Sequence, residues 1–169
     1  MRRYQKNIVS QYFLAGVLTL AAFALHSEEP RADQVSTTTK PERSCTDYVP
    51  AYSHIYLSKD QTTSLGITLS IRNVDSTKKI SVSRVEYYDT HGVLTDVLAD
   101  KSFTLGPMAT VSYVIDQQDM RGGVGANFIV RWSGDKQIHP PITEAVMVGS
   151  SGTKGYSFSS RGENIACDD

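Results

Sequence analysis

Two glycine-rich stretches, a few histidines and one aromatic triplet are the residues of this chain whose types and spacing could do chemistry. The first stretch, RGGVGAN (121–127), brings Gly122, Gly123 and Gly125 together. A glycine loop cradles phosphate when it opens a helix, because the N-terminal amides and the dipole then face the anion. These glycines lead instead into the alternating segment NFIVRW (127–132), no lysine stands in the required place, and the spacing misses the dinucleotide fingerprint. They are expected to turn the chain, supplying a positive φ or a bulge. The second stretch, VGSSGTKGY (148–156), holds Ser151-Gly152-Thr153-Lys154, formally the Ser-x-x-Lys of penicillin-recognising acyl enzymes. That chemistry needs the lysine one helical turn after the serine, with further motifs for proton transfer. Ser76-Thr77-Lys78-Lys79 repeats the pattern, and there is no Gly-x-Ser-x-Gly. A hairpin loop is expected, and no catalytic residue is assigned.

His54, His91 and His139 are scattered, without the paired spacing of a metal site, so neither a metal nor a cofactor is expected. Tyr52, His54 and Tyr56 alternate with Ile55 and Leu57 in YSHIYLS (52–58). On a strand this places three rings on one face, a possible binding surface, since tyrosine combines a flat apolar body with a polar tip. The competing reading is that neighbouring loops cover the row.

The elements that must position these residues are strands. In SLGITLSIRN (64–73), Leu65, Ile67, Leu69 and Ile71 alternate with small or polar residues, a strict period of two. ISVSRVEYYD (80–89) starts with Ile80 and Val82 in phase and continues with Val85 and Tyr87, which predicts a β-bulge near Ser83 or Arg84. Asp89-Thr90-His91-Gly92 is a turn before VLTDVL (93–98). SFTL (102–105), ATVSYVI (109–115), NFIVRW, ITEAVMVG (142–149) and GYSFSS (155–160) follow. Seven or eight short strands in a mostly antiparallel arrangement read as an all-β, immunoglobulin-like sandwich, with Phe128, Val130 and Trp132 beside the aliphatic row in its core.

Before the strands lies a basic and then apolar N-terminus. Arg2, Arg3 and Lys6 precede an apolar run over 13–25, and Ala22-Phe23-Ala24 has the small-x-small pattern a signal peptidase reads. Residues 1–24 are expected to be a signal peptide; the alternative is an uncleaved inner-membrane anchor over 8–25. Polar residues 25–46 read as a flexible linker, and 47–169 as the β domain. Without residues 1–24 the chain keeps 14 basic against 18 acidic residues, a net charge of −4. No basic cluster is left as a nucleic-acid footprint. Cys45 and Cys167 bracket the domain. In an oxidising compartment they are most simply a disulfide, with free thiols or a mixed disulfide as the rivals.

SLGITLSIRNVD, VEYYDTHG, LGPMAT, GGVGANFIVRW, EAVMVG and FSSRG occur in this order. Together they resemble the bacterial family known as domain of unknown function 3124, over about residues 48–165. The resemblance implies a small exported or membrane-anchored domain with no established activity and no catalytic residues to carry over. The functional expectation is a non-enzymatic exported, periplasmic β-sandwich that serves as an interaction or structural module of the envelope, with an envelope protein or a small ligand as its partner. The alternatives are a small-molecule or carbohydrate binder, or a hydrolase built on the loops.

Overall fold

The computed structural model describes residues 42–168. The expected signal peptide or anchor and most of the expected linker lie outside them. The linker ends earlier than its composition suggests, because residues 42–46 already belong to the first strand, β1 (Glu42–Pro50).

Among the described residues there is no helix, and twelve strands follow one another. After β1 come β2 (His54–Ser58), β3 (Gln61–Ser64), β4 (Gly66–Arg72), β5 (Ile80–Tyr88) and β6 (Leu94–Ala99). Then come β7 (Phe103–Leu105), β8 (Thr110–Ile115), β9 (Asn127–Asp135), β10 (Ile142–Ser151), β11 (Lys154–Arg161) and β12 (Glu163–Asp168). The large sheet runs β12-β1-β9-β5-β6, with β7 also paired to β5. A second sheet runs β11-β10-β4-β8, and β2 and β3 form a separate hairpin. All pairings are antiparallel.

Twelve strands exceed the seven or eight expected, and the unexpected ones have a common cause. β1 points Cys45, Asp47 and Val49 inward, so an acidic side chain interrupts the apolar alternation. β3 has no large aliphatic residue, and β12 is exposed throughout. Neither carries the period-two apolar signal that identifies a half-buried strand.

The two sheets share one hydrophobic core. Leu65, Ile67, Leu69 and Ile71 contribute from one side, and Phe128, Val130 and Trp132 from the other, all essentially without solvent contact. Each such side chain stabilises by roughly 1.5–3 kcal/mol relative to leaving it exposed. The phase slip in β5 is a bulge: its register against β9 shifts between Val82 and Arg84. The extra residue lets Ile80 and Val82 before it, and Val85 and Tyr87 after it, all enter the core.

Asp47 is the polar member of this interior. Its carboxyl accepts the Trp132 indole N–H (3.1 Å) from β9 and the Asn164 amide N–H (3.1 Å) from β12. It also accepts the Thr143 hydroxyl (3.2 Å) from β10, in the opposite sheet. One side chain thus links both sheets and an edge strand. Two residues earlier, Cys45 lies in register with Cys167 and is bonded to it, with Cα atoms 4.1 Å apart. The bond replaces the rival thiol readings and fastens β12, whose only strand partner among the described residues is β1.

Asp47→Ala leaves the Trp132 and Thr143 donors buried without their acceptor. A loss of about 2–4 kcal/mol is expected in denaturant unfolding, as for a removed partner of buried donors; a loss below about 0.5 kcal/mol contradicts the bridging role. The disulfide closes a loop with a sequence separation of 122. Cys45→Ser should lower stability by up to about 4–5 kcal/mol in the chain-entropy model. It should also release one titratable thiol at Cys167, where the unreduced parent has none.

Candidate functional site

Three connections meet at one end of the strands: residues 51–53 between β1 and β2, 89–93 between β5 and β6, and 116–126 between β8 and β9. The glycine-rich loop clasps the other two. Ser53 N–H donates to the Gly123 carbonyl (3.0 Å), and Gly123 N–H returns a bond to Ser53 Oγ (2.8 Å). The Ser53 hydroxyl itself donates to the Met120 carbonyl at 3.1 Å. On the other flank, Thr90 N–H donates to the Gly122 carbonyl (2.9 Å), and Gly125 N–H donates to Thr90 Oγ1 (3.0 Å). Ala51 N–H to the Ala126 carbonyl, at 2.8 Å, closes the base.

The glycines are required by proximity. A Cβ at Gly122 would stand 1.9 Å from the Tyr87 hydroxyl and 2.8 Å from the Ala126 methyl. Gly123 has φ +77°, and a Cβ there would meet Thr90 Oγ1 at 2.3 Å. The loop then enters β9, a strand, so its amides serve Ser53 and Thr90 instead of fanning round an anion. Beneath it, burial and the nearby Asp119 charge push the Tyr87 phenol up to about 12. Arg121 grips Asp119 through two bonds (2.8 and 2.6 Å). These bonds hold the Asp119 carboxyl below its ordinary value and, with the Asp119 charge, raise the Arg121 guanidinium.

The aromatic row divides. Ser53 spends its backbone on the clasp, accepting from Leu65 N–H (2.8 Å) through its carbonyl, so β2 begins only at His54. Tyr52 therefore lies outside the strand and packs edge-on against Phe158, ring centroids 5.6 Å apart, at the margin of the core. His54 and Tyr56 share a face of β2, with rings edge to face at 5.7 Å, and Tyr56 is 61 % exposed. On the clasped connections Met120 and Val93 are also exposed, as is Leu94 at the start of β6. His54 and Tyr56 share a strand face as their alternation in the sequence suggests, whereas Ser53 and Thr90 carry no local signal, because their partners lie about 70 and 35 residues away.

The second glycine stretch is the β10–β11 hairpin, with Gly152 at φ +60°. Ser151 and Lys154 are register partners across the turn, not one helical turn apart, so the Ser-x-x-Lys resemblance is formal. In the other copy of the pattern, Thr77 and Lys78 N–H groups bind the Asp75 carboxylate (2.9 and 2.8 Å), which they hold down to about 2. Between the β2–β3 and β10–β11 hairpins lies a polar cleft of about 550 Å³, lined by Leu57, Gln61, Thr153, Lys154 and Tyr156 among others. Among the described residues no group of three or more His, Cys, Asp or Glu side chains could hold a metal ion.

No curated protein matches the chain. A solved structure described as "Crystal Structure of Thermotoga maritima 1070" superposes with a TM-score of 0.42 at 9 % identity, over 70 % of this chain and 92 % of that one. The model of the family described as protein of unknown function (DUF3124) matches residues 44–165, from β1 into β12. That span is most of the chain, and the chain belongs to this family.

Proposed function

We propose that this protein is an exported, non-enzymatic interaction module of the bacterial envelope, an immunoglobulin-like sandwich that meets its partner with the clasped loop end. The basic, apolar, Ala-x-Ala succession at the N-terminus supports export, by cleavage after residue 24 or anchoring through 8–25. The single observation that carries the recognition surface is Tyr56. It stands 61 % exposed against His54, on a hairpin that belongs to neither sheet. An amphipathic ring held by a neighbour and left in solvent is the residue type that anchors interfaces. Met120 and Val93 on the clasped loops, with Leu94 at the start of β6, are further exposed apolar side chains at this end, and loops on a rigid scaffold commonly carry binding.

A second reading has its own observation. The cleft between the two hairpins has a volume within the range of small-ligand sites, and the half-buried Tyr156 supplies an aromatic wall beside polar side chains. It favours a small polar ligand such as a carbohydrate.

Photo-crosslinking of the full chain in fractionated envelopes separates the two. A discrete protein adduct is expected for the parent and should fall at least tenfold in Tyr56→Ser, with the melting temperature unchanged. An adduct that survives Tyr56→Ser but is lost in Tyr156→Ser moves the site to the cleft; no envelope adduct from either sinks the interaction reading. Gly122→Ala tests the clasp. Its Cβ cannot be placed without displacing Tyr87 or the loop. A destabilisation of about 1–3 kcal/mol, as for overpacking, is expected together with a weakened adduct.

A further inference from the structure

The outer face of the large sheet carries a cluster of charge on β5 and β9. On β9, Val130, Trp132 and Gly134 point inward, so Arg131 and Ser133 point out; on β5, the bulge leaves Ser81, Arg84 and Glu86 outward. Register then sets Arg84 directly opposite Arg131. Like charges opposed across a strand pair repel. Glu86 compensates: its Oε1 accepts Arg84 Nε–H at 2.6 Å, its Oε2 accepts Arg131 Nη1–H at 2.5 Å, and the Tyr88 hydroxyl adds a bond of 3.2 Å. Burial pushes the Glu86 carboxyl up, but the bonds from Arg84 and Arg131 outweigh it and hold it below its ordinary value.

Each guanidinium has five N–H donors, and the clamp engages one on each. Among the described residues no other side chain accepts from the remaining ones. Asp100 lies within electrostatic reach of Arg84 without bonding it. Two residues along β9 runs a line of hydroxyls: Ser44 opposite Ser133, Ser133 opposite Ser81, and Ser81 opposite Thr104 on β7. The hydroxyls of Ser81, Thr104 and Ser133 have no hydrogen-bond partner among the described residues, and they line a hollow of about 280 Å³ with Lys79 and Glu42 at its rim. Two forked cations, oriented by a shared carboxylate, thus stand beside a hollow walled by unengaged hydroxyls.

We propose that this face binds a phosphorylated polyol, with its phosphate on the Arg84 and Arg131 forks and its hydroxyls on Ser81, Thr104 and Ser133. Arginine suits the anion because its planar fork can offer two parallel donors to phosphate oxygens. The Glu86 clamp fixes both side chains beforehand, so less rotamer freedom is lost on binding. The hydroxyls donate and accept, which matches a sugar or glycerol body better than an apolar one. This site is independent of the loop end.

The test is calorimetric titration of the full chain with glycerol 3-phosphate, inorganic phosphate and glycerol. It is paired with flotation on phosphatidylglycerol vesicles against phosphatidylcholine vesicles. Glycerol 3-phosphate should bind more tightly than inorganic phosphate, and glycerol alone should not bind. Arg131→Lys, which keeps the charge and removes the fork, should weaken binding at least tenfold. Ser81→Val with Ser133→Val, outward on strands and so compatible with folding, should weaken glycerol 3-phosphate but leave inorganic phosphate unchanged. Preference for phosphatidylglycerol vesicles, lost in the same variants, identifies a lipid headgroup as the source of the same chemistry. Should Arg131→Lys fail to melt as the parent does, the serine pair decides alone. Absence of binding to every phosphate probe, or binding indifferent to these substitutions, overturns the proposal.

Discussion

A carboxyl group placed between two sheets is the constraint around which this domain is arranged. Asp47 takes donors from Trp132, Thr143 and Asn164, and so ties β1 to β9, β12 and, across the core, β10. Apolar packing alone is non-directional and would tolerate sliding of one sheet over the other. Three donors converging on one buried acid tolerate only one alignment, because any shift leaves a buried polar group unpaired. The disulfide acts on the same strand with a different reach. It fastens β12 to β1 at Cys45, so the edge strand that donates Asn164 to Asp47 cannot peel away. Arg43, four residues before Asp47, lies over the Trp132 ring at 5.3 Å and adds a second side-chain tie between β1 and β9.

With the sheets aligned, chemistry is left to their margins. At the loop end, glycines allow backbone contact with Tyr87, Ser53 and Thr90, and half-buried His54 with exposed Tyr56 follows directly after Ser53. On the outer face of the large sheet, the β5 bulge turns Arg84 and Glu86 outward beside Arg131. One irregularity therefore serves two ends, since the same bulge keeps Val85 and Tyr87 in the core. Bulges re-aim side chains in this way wherever a regular strand would point them wrongly.

Much was legible in the residues alone. The period-two rows at 65–71 and 128–132 reported the core and the all-β class, because burial of one strand face imposes that alternation whatever the partner strands are. The phase change between Val82 and Val85 reported the bulge for the same reason. The glycines of 122–125 were readable as a turn because no helix follows them. The two cysteines announced a possible pair through their number and placement, though not that they would face each other in register.

What the tertiary structure decided are the relations between residues far apart in the chain. Asp47 looked like a linker boundary, since an isolated acid in a polar stretch has no periodicity; its role exists only when Trp132 and Thr143 arrive from two different sheets. Tyr52 seemed to belong to the aromatic row, yet the Ser53 clasp to Gly123 ends the extended run before it and sends its ring against Phe158. The facing of Arg84 and Arg131 depends on strand order, and pairing order is set by which faces bury together, not by local propensity. Local sequence determines which face of a strand is apolar. Only the packed sheets determine what that face, and the face behind it, will meet.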